Sequence, residues 1–156
     1  MSDSKIVGFT CSAFDLLHTG HVLMLEDAKK HCDYLIVGLH SNPKLDRPNK
    51  NSPIQSLNER KIQLKAVKYI DEILIYDTES DLYKILEKIK PDLRILGSDY
   101  KNRDFTGKDL NIPIYFHERN HDFSSSNLRK KIYVKKCFNY GNRNKLRRDS
   151  CSHYSR

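Results

Sequence analysis

Two histidines stand three positions apart in the segment Ser12–His21 (SAFDLLHTGH), between an apolar run and a helical pattern. His18 and His21 therefore lie at the predicted start of a helix, where free main-chain N–H groups and the positive end of the helix dipole attract phosphate. Gly20 lets the backbone approach a ligand closely. Two imidazoles there can donate hydrogen bonds to a phosphate whose charge grows during in-line displacement. This favours a phosphate-transfer site over a pair of ordinary surface histidines.

A second polar segment, Arg119–Arg129 (RNHDFSSSNLR), follows the last predicted strand and opens the last predicted helix. Ser124, Ser125 and Ser126 can cap that helix or bind phosphate through hydroxyl and main-chain N–H groups. Arg119, just upstream, can clamp the β- and γ-phosphates of a triphosphate. Because both segments follow strands, we expect them to meet at the same edge of a parallel sheet.

One pattern in the sequence suggests metal chemistry that its context excludes. The run His117–His121 (HERNH) has the His-Glu-x-x-His spacing of zinc proteases. That chemistry needs both histidines on one helical face. In the extended chain predicted here, residues four apart are separated by about 13 Å. We therefore assign no metal ligands, and the four scattered cysteines are expected to be free thiols.

Strand-like and helix-like stretches alternate along the chain. The predicted strands are Lys5–Cys11, Tyr34–Leu39, one within Asp71–Tyr76, Leu93–Leu96 and Ile112–Phe116. The predicted helices are Gly20–His31, one from the Ser56–Glu59 capping box to about Tyr69, Ser80–Lys90, and one from within Ser124–Ser126 to near Val134. Residues 41–56, rich in Pro, Asn and Ser, are predicted to form a long loop.

This alternation predicts an α/β fold, a Rossmann-like, doubly wound sheet of five parallel strands with flanking helices. In such sheets ligands bind beyond the carboxyl ends of the strands, where both polar segments are placed. We expect one domain over residues 1–134. Residues 135–156 lack periodicity and are expected to form a basic, disordered tail.

The positive charge of the chain is concentrated at its end. Residues 129–156 carry ten Lys and Arg against one Asp, whereas residues 1–128 carry eighteen against nineteen acidic residues. Such a tail can bind nucleic acid or an anionic surface, although a solvated terminus is the commoner case. No apolar run approaches a membrane span and no secretory leader is visible, so a cytoplasmic protein is expected.

The two polar segments together resemble the cytidylyltransferase-like nucleotidyltransferases, which share this fold. That family carries His-x-Gly-His near its N-terminus and a Ser/Thr-rich helix start near its C-terminus. The resemblance covers residues 5–133 and is strongest to the glycerol-3-phosphate cytidylyltransferases. It implies transfer of CMP from CTP to a phosphorylated small alcohol such as glycerol 3-phosphate, with release of pyrophosphate. It also implies Mg²⁺ as cofactor and a homodimer.

The resemblance assigns roles to individual residues. His18, His21 and Arg119 would be catalytic. The nucleotide would be bound by Phe14, Asp15, Gly20, Arg60, Asp99, Ser124, Ser125 and Ser126. The acceptor would be bound by Lys44, Arg47, Lys68 and Asp71. The chain departs from the family at Ser12, where a glycine is usual, and at Lys68, where a bidentate arginine is usual.

Two alternatives stay open from the sequence. Adenylyltransferases that use ATP, including FAD synthetases and heptose-phosphate or pantetheine-phosphate adenylyltransferases, share the His-x-Gly-His motif. Nothing in the sequence fixes the base, and main-chain groups near residues 97–100 are expected to read it. A non-catalytic protein that binds nucleotide or nucleic acid is the other alternative, because aromatic residues between the basic ones of the tail would permit stacking.

Overall fold

The computed structural model describes residues 5–141, with side chains described as far as Tyr133. Its strands are β1 (Val7–Ser12), β2 (Tyr34–His40), β3 (Glu72–Tyr76), β4 (Leu93–Gly97) and β5 (Ile114–His117). Its α-helices are α1 (Thr19–Lys30), α2 (Leu57–Lys65), α3 (Glu79–Ile89) and α4 (Ser125–Gly141). No helix in this part of the chain is long and apolar enough to cross a bilayer.

The five strands form one parallel sheet in the order β3-β2-β1-β4-β5. The chain first runs outward from β1 through β2 to β3 and then returns to the other side of β1 for β4 and β5. The strand order therefore reverses at β1, which is the place where an open parallel sheet leaves a crevice for ligands. The predicted Rossmann-like, doubly wound fold is confirmed.

Two apolar clusters cover the two faces of the sheet. On one face, Leu25 of α1 and Leu64 of α2 are fully buried against alternate residues of β2 such as Val37. On the other face, Leu86 of α3 packs with Phe9, Ile36 and Tyr76 of the strands. Successive strand residues point to opposite faces, so the continuous apolar run of β2 serves both clusters.

Local signals set most helix starts, whereas two helix ends differ from expectation. Capping boxes at Ser56 and Thr78 open α2 and α3. Helix α2 ends at Lys65 rather than near Tyr69, because turns replace the helix from there to β3. Helix α4 continues to Gly141, past the expected end near Val134.

The longer α4 follows from composition, because no Pro or Gly interrupts residues 125–140. The basic segment assigned to a tail therefore begins inside a helix. Residues 142–156 lie outside the described residues. The division of the chain at residue 134 and the disorder of the tail stay predictions.

Candidate functional site

A cavity of about 430 Å³ lies at the carboxyl edge of the sheet. The last residue of every strand lines it, namely Ser12, His40, Tyr76, Gly97 and His117. The starts of α1 and α4 complete its wall. The cavity therefore stands where the reversal of strand order predicts a ligand site.

The loop between β1 and α1 has a strained backbone, and hydrogen bonds from residues 54 and 55 hold it in place. Phe14 and Leu16 have φ angles of 47° and 51°, in the left-handed region that side chains other than glycine rarely adopt. Asp15, buried between them, accepts hydrogen bonds from the main-chain N–H groups of Ile54 and Gln55, both at 2.9 Å. The Gln55 side chain in turn accepts from Leu16 N at 2.8 Å. Backbone strain of this kind persists only where the surroundings over-determine it, and it clusters at functional sites.

The start of α4 is fastened to this same loop. Ser125 Oγ donates to the main-chain oxygen of Asp15 at 2.9 Å, and Arg129 pairs with the Asp15 carboxylate. Ser124 Oγ accepts from Asn127 N at 3.1 Å and so caps the helix. The two polar segments therefore meet at one edge, as the sequence predicts. The pairing of Arg129 was not predicted, because a basic residue within a helix of basic residues gives no signal.

His18 and His21 stack face to face at the start of α1, with ring centroids 3.8 Å apart. Burial lowers the pKa of His21 to about 3, assisted by the nearby His18 and Arg119. The pKa of His18 is lowered by burial, then by Arg119 and His121. Both rings are therefore neutral at pH 7, and they offer hydrogen-bonding groups rather than fixed cations to the cavity.

Four histidine side chains of the cavity wall carry a buried nitrogen that has no hydrogen-bond partner within the described part of the chain. They are Nδ1 of His18 and His21 and Nε2 of His117 and His121. A buried polar atom without a partner costs about 1–3 kcal/mol. Their concentration in one cavity indicates that a polar ligand supplies the partners.

Gly20 stands where α1, α4 and the histidines meet. A Cβ added there would lie 2.8 Å from His121 Cε1, 2.9 Å from the Phe123 main-chain oxygen and 3.0 Å from His18 Cε1. Glycine is therefore required here for close packing, and the conformation itself does not demand it.

Gly20→Ala is expected to destabilise the protein by about 1–3 kcal/mol, because overpacking forces the α4 loop outward. It should also lower the rate of any phosphate transfer in this cavity by about a hundredfold, since a shift near 1 Å misplaces reacting groups. Urea unfolding and steady-state rates would measure the two effects. Thr19→Ala, at the exposed neighbouring position, is the control. Wild-type stability and rate in Gly20→Ala would show that the contacts at Gly20 are not needed.

The buried state of His21 predicts a pH dependence of stability. Its pKa in the folded protein, about 3, lies below the ordinary value of 6.5. The unfolded chain therefore binds the extra proton between these values, so stability is complete above pH 6.5 and is lost as pH falls toward 3. At pH 4.5 the loss from this group is about 2–3 kcal/mol.

Unfolding by urea at pH 7 and pH 4.5, with and without His21→Gln, measures that loss. The variant should lose less stability than the wild type over this interval, because Gln cannot bind the extra proton. The other titrating groups contribute to the loss in both proteins. Equal losses in the two proteins would show that His21 is not protonated on unfolding.

Arg60 lies beneath the cavity and is bound entirely to main chain. Its side chain is 2% exposed and donates to the main-chain oxygens of Ala13 and His40, both at 2.8 Å, Ser41 at 2.6 Å and Gln55 at 3.2 Å. It is absent from the cavity lining. The expected nucleotide contact is therefore replaced by a structural role, in which Arg60 ties together the loops after β1 and β2.

Two residues expected to bind the acceptor lie at the opposite edge of the sheet. Asp71 accepts from Leu35 N at 2.7 Å and pairs with Lys29 at 2.5 Å, where β2 begins. Lys68 precedes β3 and lies over the Tyr69 ring. Because the cavity is at the carboxyl ends of the strands, neither side chain can reach an acceptor bound there in the same chain. Both residues therefore lie outside the cavity lining, and their contact with an acceptor stays a prediction.

The other predicted residues divide between cavity and surface. Arg47 and Asp99 line the cavity, whereas Lys44 is exposed on the short helical turn Pro43–Leu45 and is not part of the lining. Phe14 is buried and packs on His21, with ring centroids 5.2 Å apart. The remaining predicted residues that line the cavity are Asp15, His18, Gly20, His21, Arg119, Ser124, Ser125 and Ser126.

On the α3 side, charged groups form the wall. Arg47 pairs with Glu79 of α3 at 2.6 Å. Arg94 of β4 is 2% exposed, lies 5.3 Å from the Phe105 ring and donates to the main-chain oxygen of Thr106. The sequence gives no sign of this role for Arg94, because the residue stands inside an apolar strand pattern. Two guanidinium groups against one carboxylate suit an anionic ligand.

The HERNH run does not form a metal site. His117 ends β5 and binds Asp27, whereas His121 lies in the following loop beside Gly20. No group of three or more His, Cys, Asp and Glu side chains that could hold a metal is found in the described part of the chain. The two histidines therefore do not share the helical face that the zinc-protease pattern requires.

Comparison with known proteins finds a matching family model and several curated relatives. The model of the cytidylyltransferase-like family matches residues 9–131. The bifunctional protein HldE of Campylobacter jejuni subsp. jejuni serotype O:6 is 36% identical over 136 residues, 86% of this chain and 29% of HldE. HldE of Wolinella succinogenes is 38% identical over 107 residues, 68% of this chain and 22% of HldE. The chain thus spans less than a third of these relatives.

Solved structures show the same fold. A lipopolysaccharide core biosynthesis protein from Thermoplasma volcanium has a TM-score of 0.61 and 26% identity, covering 76% of this chain and all of that protein. Pantoate-β-alanine ligase from Francisella tularensis has a TM-score of 0.59 and 20% identity, covering 92% of this chain and 74% of the ligase. The second likeness concerns the fold alone.

Proposed function

Since this chain belongs to the cytidylyltransferase-like family, we propose that it transfers a nucleoside monophosphate from a nucleoside triphosphate to a phosphorylated small molecule. The observation that carries the proposal is the cavity between the starts of α1 and α4. There the neutral His18–His21 pair and the serine-rich helix start, joined through Asp15, face the same space. Two helix N-termini at one cavity suit a triphosphate.

In this mechanism an oxygen of the acceptor phosphate attacks the α-phosphorus and forms a new P–O bond. The bond from the α-phosphorus to the bridging oxygen breaks, and pyrophosphate leaves with its electron pair. His18 and His21 donate hydrogen bonds to the α-phosphate as negative charge builds up. Arg119 and the start of α4 hold the β- and γ-phosphates, so the protein contributes position and charge stabilisation.

The charged wall on the α3 side is the proposed place of the acceptor phosphate. Arg47 and Arg94 supply positive charge there, and Glu79 can accept hydrogen bonds from hydroxyl groups. We place a sugar phosphate with ATP first, since the relatives named above include HldE proteins and a lipopolysaccharide core biosynthesis protein, and a lipopolysaccharide contains sugars. Glycerol 3-phosphate with CTP is the second candidate.

Mg²⁺ is proposed to enter with the triphosphate. Both oxygens of the Asp15 carboxylate are already bound, and Glu79 is paired with Arg47. The residues thus fit a metal held mainly by phosphate oxygens and water, as is usual for Mg²⁺. When bound, Mg²⁺ would shield the charge of the leaving pyrophosphate. We also propose a homodimer, which sedimentation at micromolar concentration would test.

Pyrophosphate release tests the proposed function. The protein is incubated with Mg²⁺, each of ATP, CTP, GTP and UTP, and a panel of sugar phosphates and glycerol 3-phosphate. Release that requires one triphosphate and one phosphorylated acceptor, with a nucleotidyl product visible by mass spectrometry, would support it. Binding of nucleotide with no release on any acceptor of a broad panel would favour the non-catalytic alternative.

A further inference from the structure

The wall of the cavity next to β5 holds a histidine that the proposed mechanism does not use. His117, the last residue of β5, pairs in register with Gly97 and lines the cavity. Its side chain is 12% exposed. Its Nδ1 lies 2.7 Å from Oδ2 of Asp27 on α1, and the hydroxyl of Tyr115 donates to the same oxygen at 3.0 Å. The Asp27 carboxylate therefore fixes the orientation of the imidazole, and the Tyr115 hydroxyl fixes the carboxylate.

This arrangement sets which ring nitrogen carries the proton. Although burial opposes it, hydrogen bonds from His117 and Tyr115 lower the pKa of Asp27. The carboxylate is therefore ionised and can only accept, so the hydrogen of the neutral imidazole sits on Nδ1. Nε2 then carries a lone pair. This atom is buried and has no hydrogen-bond partner in the described part of the chain. The site thus presents a hydrogen-bond acceptor of fixed direction.

The charges of the wall indicate which part of the ligand meets this acceptor. Arg47, Glu79 and Arg94 lie on the α3 side of the sheet, where a phosphorylated acceptor fits. His117 lies on the α1 side, since its partner Asp27 belongs to α1. Two cavity residues beside it are uncharged, its register partner Gly97 and Met24, which precedes Asp27 by one turn on α1. Arg119, two residues further along the chain, also lines the cavity and is the cation proposed for the β- and γ-phosphates. A ring nitrogen that accepts cannot pair with a phosphate oxygen, which also only accepts, so Nε2 suits a donor group of a nucleobase better than a phosphate.

We infer that His117, positioned by Asp27, selects the nucleobase by accepting a hydrogen bond at Nε2 from an exocyclic amino group. Adenine and cytosine carry such a group, whereas hypoxanthine and uracil carry a carbonyl oxygen at the same position. A carbonyl oxygen facing the Nε2 lone pair leaves both acceptors unpaired, which a buried site penalises. The inference rests on the proposed function, because it takes the ligand to be a nucleoside triphosphate.

Nucleotide binding by titration calorimetry, with the full chain at pH 8 and without acceptor, tests this selection. The two ratios measured are the affinity of ATP over inosine triphosphate and that of CTP over UTP. For whichever of ATP and CTP binds more tightly, the amino form should bind about tenfold to a hundredfold better than its keto counterpart. His117→Leu should bring that ratio to within about threefold of one.

Three further variants separate base selection from general damage. His117→Gln keeps a polar side chain that can either accept or donate, so it should also lose the preference. Asp27→Asn can donate its amide to Nδ1 and so place the proton on Nε2, which should lower or invert the ratio. Tyr115→Phe leaves the Nδ1 contact intact and should keep the preference. Thermal melts would show that each variant is folded.

Failure of the inference and failure of the proposed function give different results. If no nucleoside triphosphate binds the wild-type chain at millimolar concentration, the proposed function is wrong. If triphosphates bind but the wild type shows no amino preference, or the folded His117 variants keep it unchanged, only the selection by His117 is overturned. A lost or inverted ratio in His117→Gln and Asp27→Asn, with the ratio kept in Tyr115→Phe, would establish it.

Discussion

Replacement of His18 or His21 by Ala is expected to lower kcat by about 10²–10³, with a much smaller effect on nucleotide affinity. The two rings stand stacked at the start of α1, and each has a buried nitrogen without a partner in the described part of the chain. A group that binds the α-phosphate more strongly as its charge grows stabilises the transition state more than the bound substrate. Turnover and equilibrium binding, measured separately, distinguish the two effects.

The glutamine variants separate hydrogen bonding from charge. Because the pKa values of both histidines are lowered, both rings are neutral in the free protein at pH 7. His18→Gln and His21→Gln should therefore recover part of the lost rate, since an amide can still donate. His31→Ala, a histidine at the far end of α1, is the matched control and should leave kcat nearly unchanged. Alanine variants with wild-type kcat would remove this pair from the reaction.

Arg60→Met is expected to lower the free energy of unfolding by about 3–5 kcal/mol. The variant keeps most of the side-chain volume but removes every donor to the oxygens of Ala13, His40, Ser41 and Gln55. Each buried carbonyl left without a donor adds its desolvation cost. Urea unfolding with an unchanged slope would measure the loss.

Lys65→Met is the matched control for Arg60→Met, because Lys65 is exposed on the same helix. It should change stability by no more than about 0.5 kcal/mol. The opposite pattern, in which Arg60→Met keeps wild-type stability but loses nucleotide affinity, would restore the role that the family resemblance assigns to Arg60. That outcome would also require the arginine to leave its main-chain partners when nucleotide binds.

Features that depend on local chemistry could be predicted from the sequence. Apolar runs between helical patterns gave the five parallel strands, because a strand buried on both faces must be apolar throughout. The capping box at Ser56 is visible as a spacing of two residue types. The two polar segments could likewise be placed at one sheet edge, since each follows a strand.

Features that depend on which side chain meets a distant partner could not be predicted. Arg60 and Asp71 match positions that are functional in the family resemblance, yet one is bound to main chain beneath the cavity and the other lies at the far edge. Arg94 looks like an interruption of an apolar strand, but it lines the charged wall. Charge and residue type alone do not tell a buried structural ion from one that meets a ligand.

The sequence by itself determined the fold class, the edge of the sheet that holds the cavity and the histidine pair that lines it, because these follow from periodicity and from helix starts after strands. The tertiary structure decided how the two segments are joined through Asp15 and which charges face the cavity. It also decided that Nε2 of His117 lies in the cavity wall without a hydrogen-bond partner in the described part of the chain. The residue that binds the other ring nitrogen, Asp27, is 90 residues away in the sequence. Hydrogen bonds between distant residues have no local pattern, so only the folded chain could reveal them.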